Sequence, residues 1–203
     1  MTKLLCRLYD PTAGKITLNG IDIRKYNYNE YMALFSVVFQ DSQLFSFSLG
    51  ENIAASVVYD SKLAKQCLIS SGFSDRLHTM NSGLATPLYK DFAEDGVEIS
   101  GGEVQKIALA RALYKDAAVL VLDEPTAALD PVAEFELYSR FNEIASGKTA
   151  IYISHRLSSC RFCDDIAVFH DGELIQYGIH DVLINDKAGK YYELWHAQAQ
   201  YYE

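Results

Sequence analysis

Val119-Leu120-Val121-Leu122-Asp123-Glu124-Pro125 is the stretch that decides the fold. Four apolar residues without a polar interruption have the composition of a strand buried on both faces, as strands of a parallel sheet are. Two adjacent carboxylates then stand at its mouth. Neighbouring side chains of a strand point to opposite faces, so the two have different tasks. One can orient a nucleotide-bound Mg²⁺ and the other can hold an attacking water as general base. The plainer alternative is that both cap the next element, but two charges beside an apolar strand are costly without partners.

Working outward, Phe35-Ser36-Val37-Val38-Phe39 and Ala150-Ile151-Tyr152-Ile153 share this design and read as buried parallel strands. Gln40 follows the first, and Ser154 and His155 follow the second. Ligands of open α/β sheets sit at the carboxyl ends of the strands, so these side chains are candidates for one crevice. Asn19-Gly20 between Lys15–Leu18 and Ile21–Arg24 is a strong hairpin signal, because both turn residues tolerate positive φ. Ile166 to Phe169 runs through Asp171-Gly172 into Glu173-Leu174-Ile175, which predicts a second hairpin at the sheet edge.

The stretch from Glu51 to Asp116 has helical patterning and no convincing strand, which predicts a helical subdomain inserted into the sheet. Met1, Leu4, Leu5 and Leu8 form a helical stripe that ends before Pro11, with no capping residue ahead of it, so the chain is expected to open inside an element. The segment from His180 to Glu203 is helical in character, rich in Tyr, and carries Trp195.

A formal net charge of −9 and the lack of any basic run argue against a nucleic-acid partner, whose phosphates need Lys and Arg in excess. No stretch approaches the roughly 18 apolar residues of a membrane-spanning helix, and no signal-peptide layout opens the chain. The expectation is an intracellular chain. Four cysteines are too few and scattered for a disulfide framework. Cys160 and Cys163 form a CxxC pair, but no second pair or suitably spaced His accompanies them, so they read as two small residues on one turn.

Ser100-Gly101-Gly102-Glu103 precedes Val104, Ile107, Ala108 and Ala112 at helical spacing, which is a capping box opening a helix. Two glycines in a first turn are costly if capping is their whole task. They also leave a bare helix N-terminus whose N–H groups and positive dipole end can meet a phosphate. Both readings stand on local grounds.

Taken in order, Gln40, then Ile99-Ser100-Gly101-Gly102-Glu103 with Gln105-Lys106, then Leu122-Asp123-Glu124-Pro125-Thr126, then Ala128-Leu129-Asp130, then His155 resemble the motif set of ABC-type ATPases. In that family these are the Q-loop, the signature motif, the Walker B strand, the D-loop and the switch histidine. The match covers nearly the whole chain. It implies an α/β fold with a P-loop-NTPase-like, mostly parallel sheet core, an inserted helical subdomain and a remnant of an antiparallel β hairpin. One nucleotide-binding domain would occupy 1–203, with 1–50 and 117–203 as the α/β core and 51–116 as the helical subdomain.

The resemblance further implies ATP and Mg²⁺ as cofactors. Asp123 would coordinate Mg²⁺ through water, Glu124 would polarise the hydrolytic water, Gln40 would contact both metal and water, and His155 the γ-phosphate. Ser100, Gly101, Gly102 and Glu103 would meet ATP held by a second ABC ATPase domain, identical or not, because the family closes two domains head to tail. Asp130 would couple the two sites, although ahead of Pro131 it is also an ordinary N-cap. Glu103 stands where the family often has Gln.

Tyr9-Asp10-Pro11-Thr12-Ala13-Gly14, and Leu44-Phe45 with Glu51-Asn52-Ile53 after Gln40, are similar to exporter-type members. Ala93-Glu94-Asp95-Gly96 sits where exporters carry a loop that touches the membrane domain, which makes Glu94 a candidate coupling residue. The expected partner is a transmembrane domain, fused or separate, and the expected place is the cytoplasmic face of the cell membrane.

No G-x-x-x-x-G-K-[ST] occurs in the sequence, so the Walker A phosphate cradle is absent from it. Lys3 to Pro11 resembles the end of the helix that follows that loop, with Met1 about one position past a Gly-Lys-Ser-Thr ending. The chain is therefore expected to be N-terminally truncated and incomplete as a catalyst. Two other readings remain at this point: a soluble ABC ATPase of DNA repair or translation, and a non-catalytic fragment.

Overall fold

A computed structural model describes residues 1–129, 134, 137–140 and 144–199. The chain divides into two compact units, Met1–Ile153 and Ser154–Glu203.

In the first unit, β1 (Thr17–Leu18) and β2 (Ile21–Asp22) form an antiparallel hairpin. Its turn residues Asn19 and Gly20 have φ of 51° and 79°, the pair of positive values that an Asn-Gly turn supplies at low cost. β3 (Phe35–Val38), β4 (Val119–Asp123) and β5 (Thr149–Ile153) form a parallel sheet in the order β3-β4-β5. Leu120, Val121 and Leu122 are buried, as the unbroken apolar run predicts. β5 differs from that expectation: it is exposed at Thr149 and half-buried beyond it, and among the described residues of its sheet it pairs on one side only.

The helices whose bounds are described in this unit include α1 (Thr2–Leu5), α2 (Tyr28–Ala33), α3 (Leu49–Ala54), α4 (Ser61–Ser70), α5 (Ser74–Thr79) and α6 (Gly101–Lys115). α1 is shorter than its stripe of Leu residues suggests, because the chain leaves helical geometry at Arg7, whose φ is 51°. α6 is the hinge of the packing. Its Ile107 and Ala110 join a core with Leu49, Ile53, Leu68, Phe73 and Leu88, while its Ala108, Leu109 and Ala112 join Val38, Leu120 and Leu122 of the sheet. One long helix thus fixes the helical part against β3 and β4.

In the second unit, β6 (Ile166–His170) and β7 (Glu173–Gly178) form the expected hairpin, turning at Asp171 and Gly172 with φ of 48° and 83°. α7 (His180–Leu183) and α8 (Lys190–Ala199) follow, and Ile166, Val168, Leu183 and Tyr191 make their common core. Among the described residues no helix is long and apolar enough to cross a membrane.

Candidate functional site

β3 and β4 lie side by side with Val38 opposite Leu122, so the residues following each strand emerge at the same end of the sheet. There Gln40 Nε2 donates to Glu124 Oε2 at 2.9 Å. Asp123, the last residue of β4, accepts instead from the hydroxyl of the buried Thr2 at 2.8 Å. The adjacent carboxylates therefore have separate partners, as the pleat of a strand requires.

Glu124 is also a backbone outlier. Its φ of 48° lies in the left-handed region, where a residue with a Cβ is strained by about 1 kcal/mol or more. Its N–H still donates to Ile153 O at 2.9 Å, so the ladder to β5 holds the residue while the chain turns out of the sheet. Strain of this kind tends to gather where a side chain must be aimed.

The start of α6 packs against the turn that follows Glu124. Ser100 is the N-cap: its Oγ accepts from Glu103 N–H, while Glu103 Oε2 accepts from Ser100 N–H at 2.8 Å, which completes the capping box. Glu103 Oε1 also pairs with Arg76 Nε at 2.9 Å. Ser100 and Gly101 are exposed, whereas Gly102 is half-buried. A Cβ at Gly102 would lie 3.1 Å from Ala128 O and 3.4 Å from Leu129 Cδ2, so this glycine allows a close approach of α6 to the turn. Gln105 completes the junction, its Oε1 accepting from Ala128 N–H at 3.0 Å from a buried position.

Gln40, Asp123 and Glu124 are thus gathered at one sheet end, and Ser100, Gly101, Gly102 and Glu103 open the helix docked on the adjoining turn. His155 lies in the second unit, two residues after β5, and is exposed. Asp130 lies outside the described residues.

Three contributors carried no role in the sequence reading. Thr2 holds Asp123 from a distant point in the sequence and leaves no local signal. Gln105 could be found as a polar residue on the buried face of an otherwise apolar helix. Buried Thr126 donates to Glu134 Oε1 at 3.0 Å, and Tyr138 OH donates to the same oxygen at 2.9 Å, so a buried carboxylate braces the turn after Pro125. The CxxC pair is less suited to chemistry. Burial pushes the Cys160 thiol up to about 11, aided by Cys163 beside it, which leaves little thiolate at neutral pH.

The family model for ABC transporters matches residues 1–127. The chain is 37% identical over 194 residues to ABC transporter B family member 28 of Arabidopsis thaliana, covering 96% of this chain and 27% of that protein. It is 37% identical over 202 residues to the ATP-dependent lipid A-core flippase of Saccharophagus degradans, covering 98% of this chain and 33% of the flippase. Among solved structures, a bacterial Atm1-family ABC exporter with ATP bound superposes with a TM-score of 0.87 at 34% identity, over 98% of this chain and 34% of the exporter. The chain spans about a third or less of the length of these relatives. The chain belongs to the ABC transporter family and has the α/β fold of that family's ATP-binding domain.

Proposed function

We propose that this chain is the greater part of an ATP-hydrolysing domain that drives an exporter by closing head to tail with a second such domain around MgATP. The observation that carries the reading is the hydrogen bond from Gln40 to Glu124 at the sheet end, beside Asp123. In this reading Glu124 is the general base, and its strained backbone holds the carboxylate out of the strand toward Gln40. Gln40, which begins the segment after β3, orients the water and reports the state of that segment to the base. His155 contacts the γ-phosphate, and the Ser100-Gly101-Gly102-Glu103 start of α6, exposed at Ser100 and Gly101, faces the partner's nucleotide, with Asp130 coupling the two sites. Residues 1–50 and 117–203 make up the α/β core and 51–116 the helical subdomain, a division supported by the shared core of α3 to α6.

The donor set fits Mg²⁺. Asp123 and the Gln40 side chain offer the hard oxygens this cation takes, directly or through water. When bound, the ion would neutralise charge that develops on the transferred phosphoryl oxygens. The phosphate cradle itself has no counterpart among the 203 residues.

A membrane partner is supported by a different face. The segment after Gln40 exposes Phe45 and Phe47, and the loop near Glu94 exposes Phe92 at 82% of its surface. Ser46 Oγ donates to Asp91 Oδ2, which ties the two loops together. Exposed aromatic side chains on joined loops are a surface in want of a partner. We place this face against the transmembrane domain, with Glu94 as a coupling residue, at the cytoplasmic side of the cell membrane.

The deciding experiment is ATP turnover by the transporter that carries this domain, with and without Glu124→Gln. The amide keeps the shape but cannot accept a proton, so turnover should fall by about 10² to 10⁴-fold with nucleotide binding retained. Near-normal turnover would remove Glu124 from the role of base.

A further inference from the structure

We infer that Gln198, near the end of α8, is a positioning residue for His155. Its carboxamide grips the backbone on both sides of Arg156 and so sets the path of the segment that carries the histidine. The catalytic consequence rests on the γ-phosphate reading of His155, whereas the grip itself does not.

Backbone polar groups of this segment are held both by local side chains and by Gln198. Arg156 N–H donates to Ser154 Oγ at 2.8 Å, a turn that a serine forms with the residue two positions on. Arg156 O accepts from the buried Ser159 Oγ at 2.6 Å. Local serines therefore hold residue 156 at both its groups. The groups flanking it are held from far along the chain: Gln198 Nε2 donates to His155 O at 2.5 Å, and Gln198 Oε1 accepts from Leu157 N–H at 2.9 Å. A carboxamide carries a donor and an acceptor side by side, which is what a carbonyl and an N–H two residues apart demand. A carboxylate at this position can only accept, and alanine can do neither.

The grip is fixed at its other end. Tyr191, Trp195 and Gln198 are four and three residues apart, so they share one face of α8. Tyr191 is 1% exposed, its N–H donates to Gln176 Oε1 at 2.9 Å, and its hydroxyl lies 2.8 Å from His180 Nδ1. The Trp195 ring packs 4.6 Å from that of His180. The hairpin core anchors the aromatic part of the helix face, and Gln198 carries that anchorage to the histidine. Displacing α8 then withdraws the Gln198 donor from His155 O and the Gln198 acceptor from Leu157 N–H together.

The test is amide hydrogen exchange and imidazole NMR of the 203-residue chain, as wild type, Gln198→Ala and Gln198→Glu. In Gln198→Ala the Leu157 amide should exchange about tenfold faster, the loss of one hydrogen bond of about 1.4 kcal/mol, and the His155 ring resonances should move. In Gln198→Glu the Leu157 amide should stay protected while the His155 resonances still move. Unchanged Leu157 protection in Gln198→Ala overturns the proposal. If Gln198→Ala also frees the β6 and β7 amides, Gln198→Glu decides, and Leu157 exchange as fast as in Gln198→Ala overturns it. In the transporter that carries this domain, Gln198→Ala should lower kcat about tenfold with KM for ATP unchanged, and a loss confined to KM counts against positioning. A wild-type transporter without ATP turnover would sink the γ-phosphate reading while leaving the exchange result standing.

Discussion

The Gln40 carboxamide donates to the Glu124 carboxylate at 2.9 Å, across two strands that are neighbours in the sheet but 84 residues apart in the chain. In our reading Glu124 is the base, and a base held by a neutral donor stays aimed. The bond also links the base to the segment that carries Phe45 and Phe47, so in our reading movement of that exposed face is felt at the water.

Replacing the donor by a second carboxylate tests this link. In Gln40→Glu two like charges would share one site, and one of them must have its pKa raised. The acid limb of the pH profile for ATP turnover should therefore move to higher pH in the transporter carrying the variant. Gln40→Leu, which brings no charge, should lower turnover without moving that limb. An unshifted profile in Gln40→Glu would show that the two side chains do not meet during turnover.

Gly101 and Gly102 should separate cleanly in stability. A Cβ at Gly101 meets only Ala128 Cβ, at an ordinary 3.5 Å, whereas one at Gly102 meets the Ala128 carbonyl oxygen at 3.1 Å. Alanine is better than glycine in a helix by roughly 0.5–1 kcal/mol, so Gly101→Ala should be neutral or stabilising. Gly102→Ala forces α6 and its neighbouring turn apart and should lower the urea midpoint of the chain. Equal midpoints for the two variants would mean that the turn yields without cost.

Gly102 also marks the limit of what the sequence discloses. The strands were legible because apolar runs such as Val119–Leu122 have one reading, and the hairpins because Asn19-Gly20 and Asp171-Gly172 supply positive φ. The capping box of Ser100 and Glu103 was equally plain from its spacing. A phosphate contact and a close approach both call for glycine at position 102, and only coordinates expose the approach to Ala128. Pairings between distant residues, such as Thr2 with Asp123 or Gln198 with His155, have no periodic signature at all. The half-burial of β5 was likewise hidden, because an apolar run does not say whether its strand is paired on both sides.

Acid should loosen the second unit through His180. Burial holds its pKa below the ordinary value of about 6.5, with Arg161 adding to the shift and Asp181 opposing it. The unfolded chain then takes up a proton at a higher pH than the folded one. Stability is therefore lost as pH falls through about 6.5 and levels off below the folded pKa. Trp195, the chain's only tryptophan, sits 4.6 Å from the His180 ring and reports unfolding by fluorescence. The urea midpoint should fall between pH 7.5 and 5.5, and His180→Gln should flatten that dependence. An equal slope in the variant would assign the effect to other groups.

The last prediction concerns the 203-residue chain by itself. Ground-state affinity for a nucleotide in P-loop enzymes comes largely from the backbone cradle and lysine around the β- and γ-phosphates. No G-x-x-x-x-G-K-[ST] is present to supply them, and the groups gathered at the sheet end are two carboxylates and an amide. Carboxylates repel a polyphosphate unless Mg²⁺ stands between them, so Asp123 and Glu124 add little affinity of their own. The exposed start of α6 offers N–H groups, but in our reading it faces a nucleotide held by the other domain. Titration calorimetry of the chain with MgATP should accordingly show no binding below millimolar concentration, and no phosphate release should be detected over hours. Extending the chain with a Gly-Lys-Ser-Thr phosphate loop and its strand should bring affinity into the micromolar range. Submillimolar binding by the 203 residues alone would mean that a nucleotide site exists elsewhere in the chain. Failure of the extended chain to bind would favour a non-catalytic role.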